Sequence, residues 1–132
     1  MRSVVPVRTA VPGLLLLAAA WGCAPRPSAG AELVRLVAAV APGGYRLTLL
    51  AAQGARINAR LKPVLEVEGG GRLRFDAPSV TADSAYFTAP PGVGFDSPSG
   101  RLRGLLRVGV CPPGLKVCRS LALPVDQALP TG

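Results

Sequence analysis

The chain reads as all-β: an immunoglobulin-like antiparallel sandwich over residues 32–126. Three observations predict this. Short apolar segments alternate with Gly and Pro clusters roughly every ten residues, a rhythm of strands and turns rather than of helices between strands. Two stretches separate charged from apolar side chains with a period of two. The 14 prolines and 16 glycines are spread as punctuation between those segments. The expected strands are Glu32–Val40, Tyr45–Ala51, Ala55–Arg60, Val64–Glu68, Arg72–Phe75, Ser84–Thr88, Arg101–Val110 and Ser120–Val125. The first of these, flanked by Ala31 and Ala41, could be helical by composition, but its valines favour a strand.

Two elements carry enough pattern to predict a register. Gly69-Gly70-Gly71 fits a three-residue hairpin loop that needs positive φ. Centred there, the hairpin pairs Glu68 with Arg72 and Glu66 with Arg74 outside, and Val67 with Leu73 and Leu65 with Phe75 inside. In Arg101–Val110 the even positions Leu102, Gly104, Leu106, Val108 and Val110 form an inward face. Arg101, Arg103 and Arg107 point outward. Pro113-Gly114 has the chemistry of a type II turn, fixed φ followed by positive φ. The next strand alternates Leu121, Leu123 and Val125. Parity puts Cys111 off the apolar face, with the sulfurs near the surface at a strand end.

The N-terminus says where the protein works. Arg2 and Arg8 precede a short apolar run from about Val11, which ends Ala18-Ala19-Ala20-Trp21-Gly22 before Cys23. That is an export-signal layout, and a cysteine after small residues is the lipid attachment site of a bacterial lipoprotein. Residues 1–22 are then the signal peptide and Cys23 the diacylglycerol-bearing first residue. An ordinary secretory cut at Ala18-Ala19-Ala20 competes with this and would leave Cys23 a free thiol. The run falls short of the roughly 20 apolar residues of a bilayer span. Residues 23–31 (CAPRPSAGA) read as lipidated N-terminus and flexible linker, and 127–132 as a C-terminal tail.

Signal removal leaves 110 residues with 13 basic and 7 acidic side chains, for a net charge of +6. An exported location and scarce aromatics argue against nucleic acid as a partner. The implied partners are the membrane, through the lipid, and another envelope protein. No cofactor is implied. The chain has no histidine, which excludes histidine-based triads and histidine metal sites, and no metal is expected. Asp76, Asp83 and Asp96 fall in or beside turns, where aspartate caps backbone amides. Phe95 and Asp96, at the centre of the loop Pro90–Gly100, are candidate contact residues. The outward row Arg101, Arg103 and Arg107 is a candidate surface for acidic envelope polymers.

With Cys23 carrying lipid, Cys111 and Cys118 remain as an even pair in an oxidising compartment, read first as a disulfide. Lys116 and Arg119 supply positive charge beside it, but the compact C-x-x-C redox spacing is absent. Local chemistry leaves a structural clamp and an active dithiol both open, the clamp favoured.

Gly54-Ala55-Arg56-Ile57-Asn58-Ala59 followed by Pro63-Val64-Leu65-Glu66-Val67 resembles the G-x-x-I-N-x…P-x-x-L-x-(V/L) segment of one known family. This is the N-terminal periplasmic domain of the thiol:disulfide interchange protein DsbD, with its stand-alone relatives. Gly100–Gly104, Val108–Cys111, Cys118 and Leu121–Val125 are similar to that family's closing strands, which flank two cysteines. The chain departs from the family in having Arg56 where His is common and a wider cysteine spacing. The resemblance spans about 32–126. It implies an immunoglobulin-like sandwich with Cys111 and Cys118 in the place of the redox pair. The function expected is therefore a lipid-anchored envelope module, a non-catalytic binding or scaffolding domain with a Cys111–Cys118 disulfide. The alternative is thiol:disulfide exchange through the same pair.

Overall fold

A computed structural model describes Gly13 and residues 30–132; the rest of the expected signal peptide, Cys23 and most of the expected linker lie outside the described residues. Among the described residues eight strands make an antiparallel β-sandwich: β1 Val34–Ala41, β2 Gly44–Ala51, β3 Arg56–Ile57, β4 Val64–Val67, β5 Arg72–Arg74, β6 Gly92–Phe95, β7 Arg101–Cys111 and β8 Arg119–Ala128. One sheet runs β1-β2-β6. The other is built around β7, which pairs with β8 along one edge and with β4 and β3 along the other, β5 lying outside β4. Leu47 and Leu49 from the first sheet meet Leu65, Phe75, Leu102, Leu106 and Val110 from the second, all nearly or wholly buried. No charged side chain is buried among the described residues.

The alternation expected of β7 holds. Leu102, Leu106, Val108 and Val110 face the core, while Arg101, Arg103 and Arg107 are exposed. Gly104 sits mid-strand because β4 crosses so close that a Cβ would collide with the Glu66 carbonyl, the ordinary reason for glycine inside a strand. β8 follows β7 through ten paired positions, Pro124 opposite Leu105. Its ring sits on the free edge, where no ladder N–H is needed.

Several sequence expectations are corrected. The first hairpin is displaced by two positions in register: Glu66 pairs with Arg72, Leu65 with Leu73 and Val64 with Arg74. Its loop is Glu68-Gly69-Gly70, closed by hydrogen bonds from Val67 N to Gly71 O and from Gly70 N to Val67 O. Glu68 is thus a turn residue without a partner on β5, its amide donating instead to Arg103 O of β7. All three glycines have positive φ, so the loop can slide along them, and a slide of two keeps every side chain on its face. Leu65 and Phe75 therefore remain inside. Of Ala55–Arg60 only Arg56–Ile57 is strand, because Asn58 Oδ1 accepts from the amides of Arg60 and Leu61 and turns the chain. Ser84–Thr88 is not a strand; it contributes single bridges, Tyr86 to Asn58 and Phe87 to Val80. Conversely Gly92–Phe95, expected as loop, is β6, paired along the β2 edge with Phe95 opposite Tyr45. β8 continues to Ala128, and Leu129 is buried with its amide on Gly100 O, so the chain is still packed where the tail was expected.

The sandwich has two ends. At one lie the β1–β2 turn, the β4–β5 turn, the segment after β6 and the C-terminus. At the other lie the β7–β8 connection, the turn before β3 and the start of the packed chain. A Cβ on Gly30 would come within 2.6 Å of Leu121 Cδ2, and one on Gly54 within 3.1 Å of Pro113.

Candidate functional site

Cys111 ends β7, and Cys118 immediately precedes β8; the two are disulfide-bonded. Between them Gly114 takes φ +71° and the Leu115 amide bonds back to Pro112 O, as the Pro113-Gly114 turn requires. Cys111 is fully buried, whereas Cys118 is half-buried. Parity had put Cys111 at the surface. That expectation fails because the outer face of the sheet is covered at this end. Arg56 lies directly opposite Cys111 across the β3–β7 ladder, and directly opposed residues share a face. Tyr86 pairs along the outer edge of β3, through Asn58.

The two cover residues hold one another. The Arg56 guanidinium carbon stands 4.2 Å from the centroid of the Tyr86 ring, a cation–π contact of about 0.5–1 kcal/mol at a partly exposed site. The Tyr86 hydroxyl lies 3.7 Å from Cys118 Sγ, in hydrogen-bonding contact. Sequence reasoning did not single out Tyr86; an isolated tyrosine with a one-residue pairing carries no periodic signal. The segment carrying it is fixed by Asp83, whose carboxylate accepts from the Thr81 hydroxyl at 2.6 Å and the Ala85 amide at 3.0 Å. Those bonds, the hydroxyl's first, hold the Asp83 carboxyl below its ordinary value.

On its outer side Cys118 opens onto a groove of about 410 Å³ across the sheet face, lined also by Asn58, Arg107, Gly109, Arg119 and Ala122. The small residues Gly109, Ser120 and Ala122 make room for it. Arg56, Lys116 and Arg119 form no ion pair among the described residues, so this end presents uncompensated positive charge.

The arginine row is a different environment. Arg101 contacts Asp126 at 2.7 Å and Arg103 contacts the same oxygen at 3.4 Å. Arg107 and Arg72 both reach Glu66 Oε1, at 3.1 and 3.2 Å. Each carboxylate thus holds two guanidiniums, and the bonds from Arg107 and then Arg72 depress the Glu66 carboxyl. The candidate contact residues Phe95 and Asp96 lie on the other sheet, away from the cysteines. Phe95 is half-buried against the core and Asp96 is exposed. Asp76 caps the Ala77 amide and pairs with Lys62. Among the described residues no cluster of three or more Cys, Asp or Glu could hold a metal ion.

Comparison with family models, curated proteins and solved structures finds no match for this chain.

Proposed function

We propose that this is a lipid-anchored cell-envelope protein, attached through Cys23, whose Cys111–Cys118 pair exchanges with thiols of envelope partners. The observation that carries the exchange reading is the asymmetry of the pair: Cys111 is fully buried, whereas Cys118 lines an open groove. An incoming partner thiolate has access to Cys118 Sγ only. Its attack forms an intermolecular S–S bond and breaks the Cys111–Cys118 bond. Cys111 leaves as the thiolate and takes up a proton, because burial disfavours the charged form. A second partner thiol resolves the mixed disulfide, leaving the pair reduced and the partner oxidised. The uncompensated charge of Arg56, Lys116 and Arg119 favours approach of a thiolate.

The reduction potential of Cys111–Cys118, equilibrated against a thiol buffer, tests this. The expected value is above about −300 mV, since bridges with lower potentials resist exchange and are structural. A lower value overturns the exchange reading in favour of the other one, a non-catalytic binding or scaffolding module clamped by its disulfide. The complete burial of Cys111 favours that second reading. The anchor has its own test, metabolic fatty-acid labelling of the wild type and of Cys23→Ala; label that persists on the variant refutes it.

A further inference from the structure

The β7–β8 tip shows large apolar side chains to solvent. Val117 is 75% exposed and Leu115 51%, two of the five exposed large hydrophobics among the described residues. Between them stands Lys116, and Arg119 follows the ring, neither forming an ion pair among the described residues. Apolar tips bracketed by cations are the pattern of a segment lying in a membrane interface, side chains in the acyl boundary and charges among the headgroups. The disulfide closes this ring, so little conformational freedom remains to be lost on insertion.

The position of the tether selects the same end. Gly30 packs on Leu121, three positions along β8 from Cys118, so the chain reaches the sandwich beside the disulfide. Cys23 stands seven positions earlier in the sequence, and seven residues span at most about 24 Å. A lipid on Cys23 would therefore hold the ring, rather than the opposite end, against the bilayer.

We infer that the Pro112–Val117 tip is a second membrane contact, docking on an anionic bilayer through Leu115 and Val117 with Lys116 and Arg119 at headgroup level. The orientation rests on the Cys23 anchor proposed above; the affinity of the tip for lipid does not. The contact would set Cys118 at the membrane surface and restrict its exchange partners to proteins with a thiol at that height.

The test uses the chain from residue 23 onward, which contains the whole sandwich, with Cys23→Ser so that no acyl chain is present. It is sedimented with vesicles of equal phosphatidylglycerol and phosphatidylcholine, and with vesicles of phosphatidylcholine alone. Expected are a preference for the anionic vesicles and a loss of about tenfold or more in partitioning for Leu115→Asp/Val117→Asp. Lys116→Gln and Arg119→Gln should each lose about fivefold, the equivalent of about 1 kcal/mol per charge near an anionic surface. All four residues are exposed, and an unchanged denaturation midpoint would show that the fold is intact. Equal partitioning of wild type and the double Asp variant overturns the inference, as does equal or absent binding to both vesicle types. Neither result touches the reduction potential, which is measured without vesicles, or the fatty-acid label.

Discussion

Two hairpins of one sheet are closed by opposite means. In β4–β5 the strands are short, the turn is three residues of mostly glycine, and only exposed charge pairs tie the outer face. What holds it is the inner face, Leu65, Leu73 and the following Phe75. In β7–β8 ten paired positions run up to a covalent bond between chain neighbours of the turn. Beyond that bond Pro112 is buried and Pro113 lies against Gly54, while Leu115 and Val117 stay largely exposed. A hairpin secured by its core must bury its apolar residues, whereas one secured by a disulfide is free to display them.

The strongest way to break this contrast is Phe75→Ala. Phe75 is fully buried, and truncation of a buried Phe costs about 3–5 kcal/mol. Urea denaturation should show a loss in that range; one under about 1 kcal/mol would mean that the first hairpin is not held by its inner face. Next comes Cys111→Ala/Cys118→Ala. Closing a ring of eight residues contributes about 2.5 kcal/mol by chain entropy, so the variant should remain folded with its urea stability lowered by that amount. A smaller effect comes from the turns. Gly71 at φ +107° and Gly114 at φ +71° both face open space, so alanine at either strains only the backbone, by about 1–2 kcal/mol. Amide exchange sharpens the comparison. Gly71→Ala should speed exchange at the Val67 amide, whereas Gly114→Ala should leave the ladder at Val110 and Arg119 protected by the disulfide.

The least effect is expected from the outer charges. Bonds from Arg107 and Arg72 hold the Glu66 carboxyl below its ordinary value near 4.5. A depressed folded-state pKa means that its stabilisation is present above the unfolded value and lost as pH falls through the folded one. Glu66→Gln should therefore be less stable than wild type at pH 7, the difference shrinking as the pH falls below the ordinary carboxylate range. Screening of exposed pairs keeps the difference small; a midpoint change at pH 7 as large as that of the disulfide variant would reverse the ranking of the two hairpins.

The sandwich was legible wherever side chains alternate over a long run. β7 and β8 could be read because leucines and valines trade places with arginines and small residues along them. β6 could not, since in Gly92-Val93-Gly94-Phe95 the glycines leave no side chain to alternate. Gly92 is needed where it stands: a Cβ there would meet the Arg46 guanidinium at 2.8 Å and the Leu47 carbonyl at 2.9 Å. The first hairpin's faces were legible but not its register, because three adjacent glycines make the loop position degenerate. The ambiguity is resolved by a third strand, β7, whose Arg107 meets Glu66 beside Arg72. The disulfide followed from cysteine arithmetic. The cover over it did not, because Arg56 and Tyr86 meet only through the fold.

Pro124 bears on how many copies can live together. If the Cys23 anchor proposed above confines the protein to a membrane, copies would meet side by side at local concentrations far above those in bulk, and an open sheet margin invites one copy to zip onto the next. β8 is such a margin, and at its midpoint the backbone has no hydrogen to donate. A neighbouring strand would find its run of bonds interrupted there, so crowding along this flank should yield collisions and not fibres.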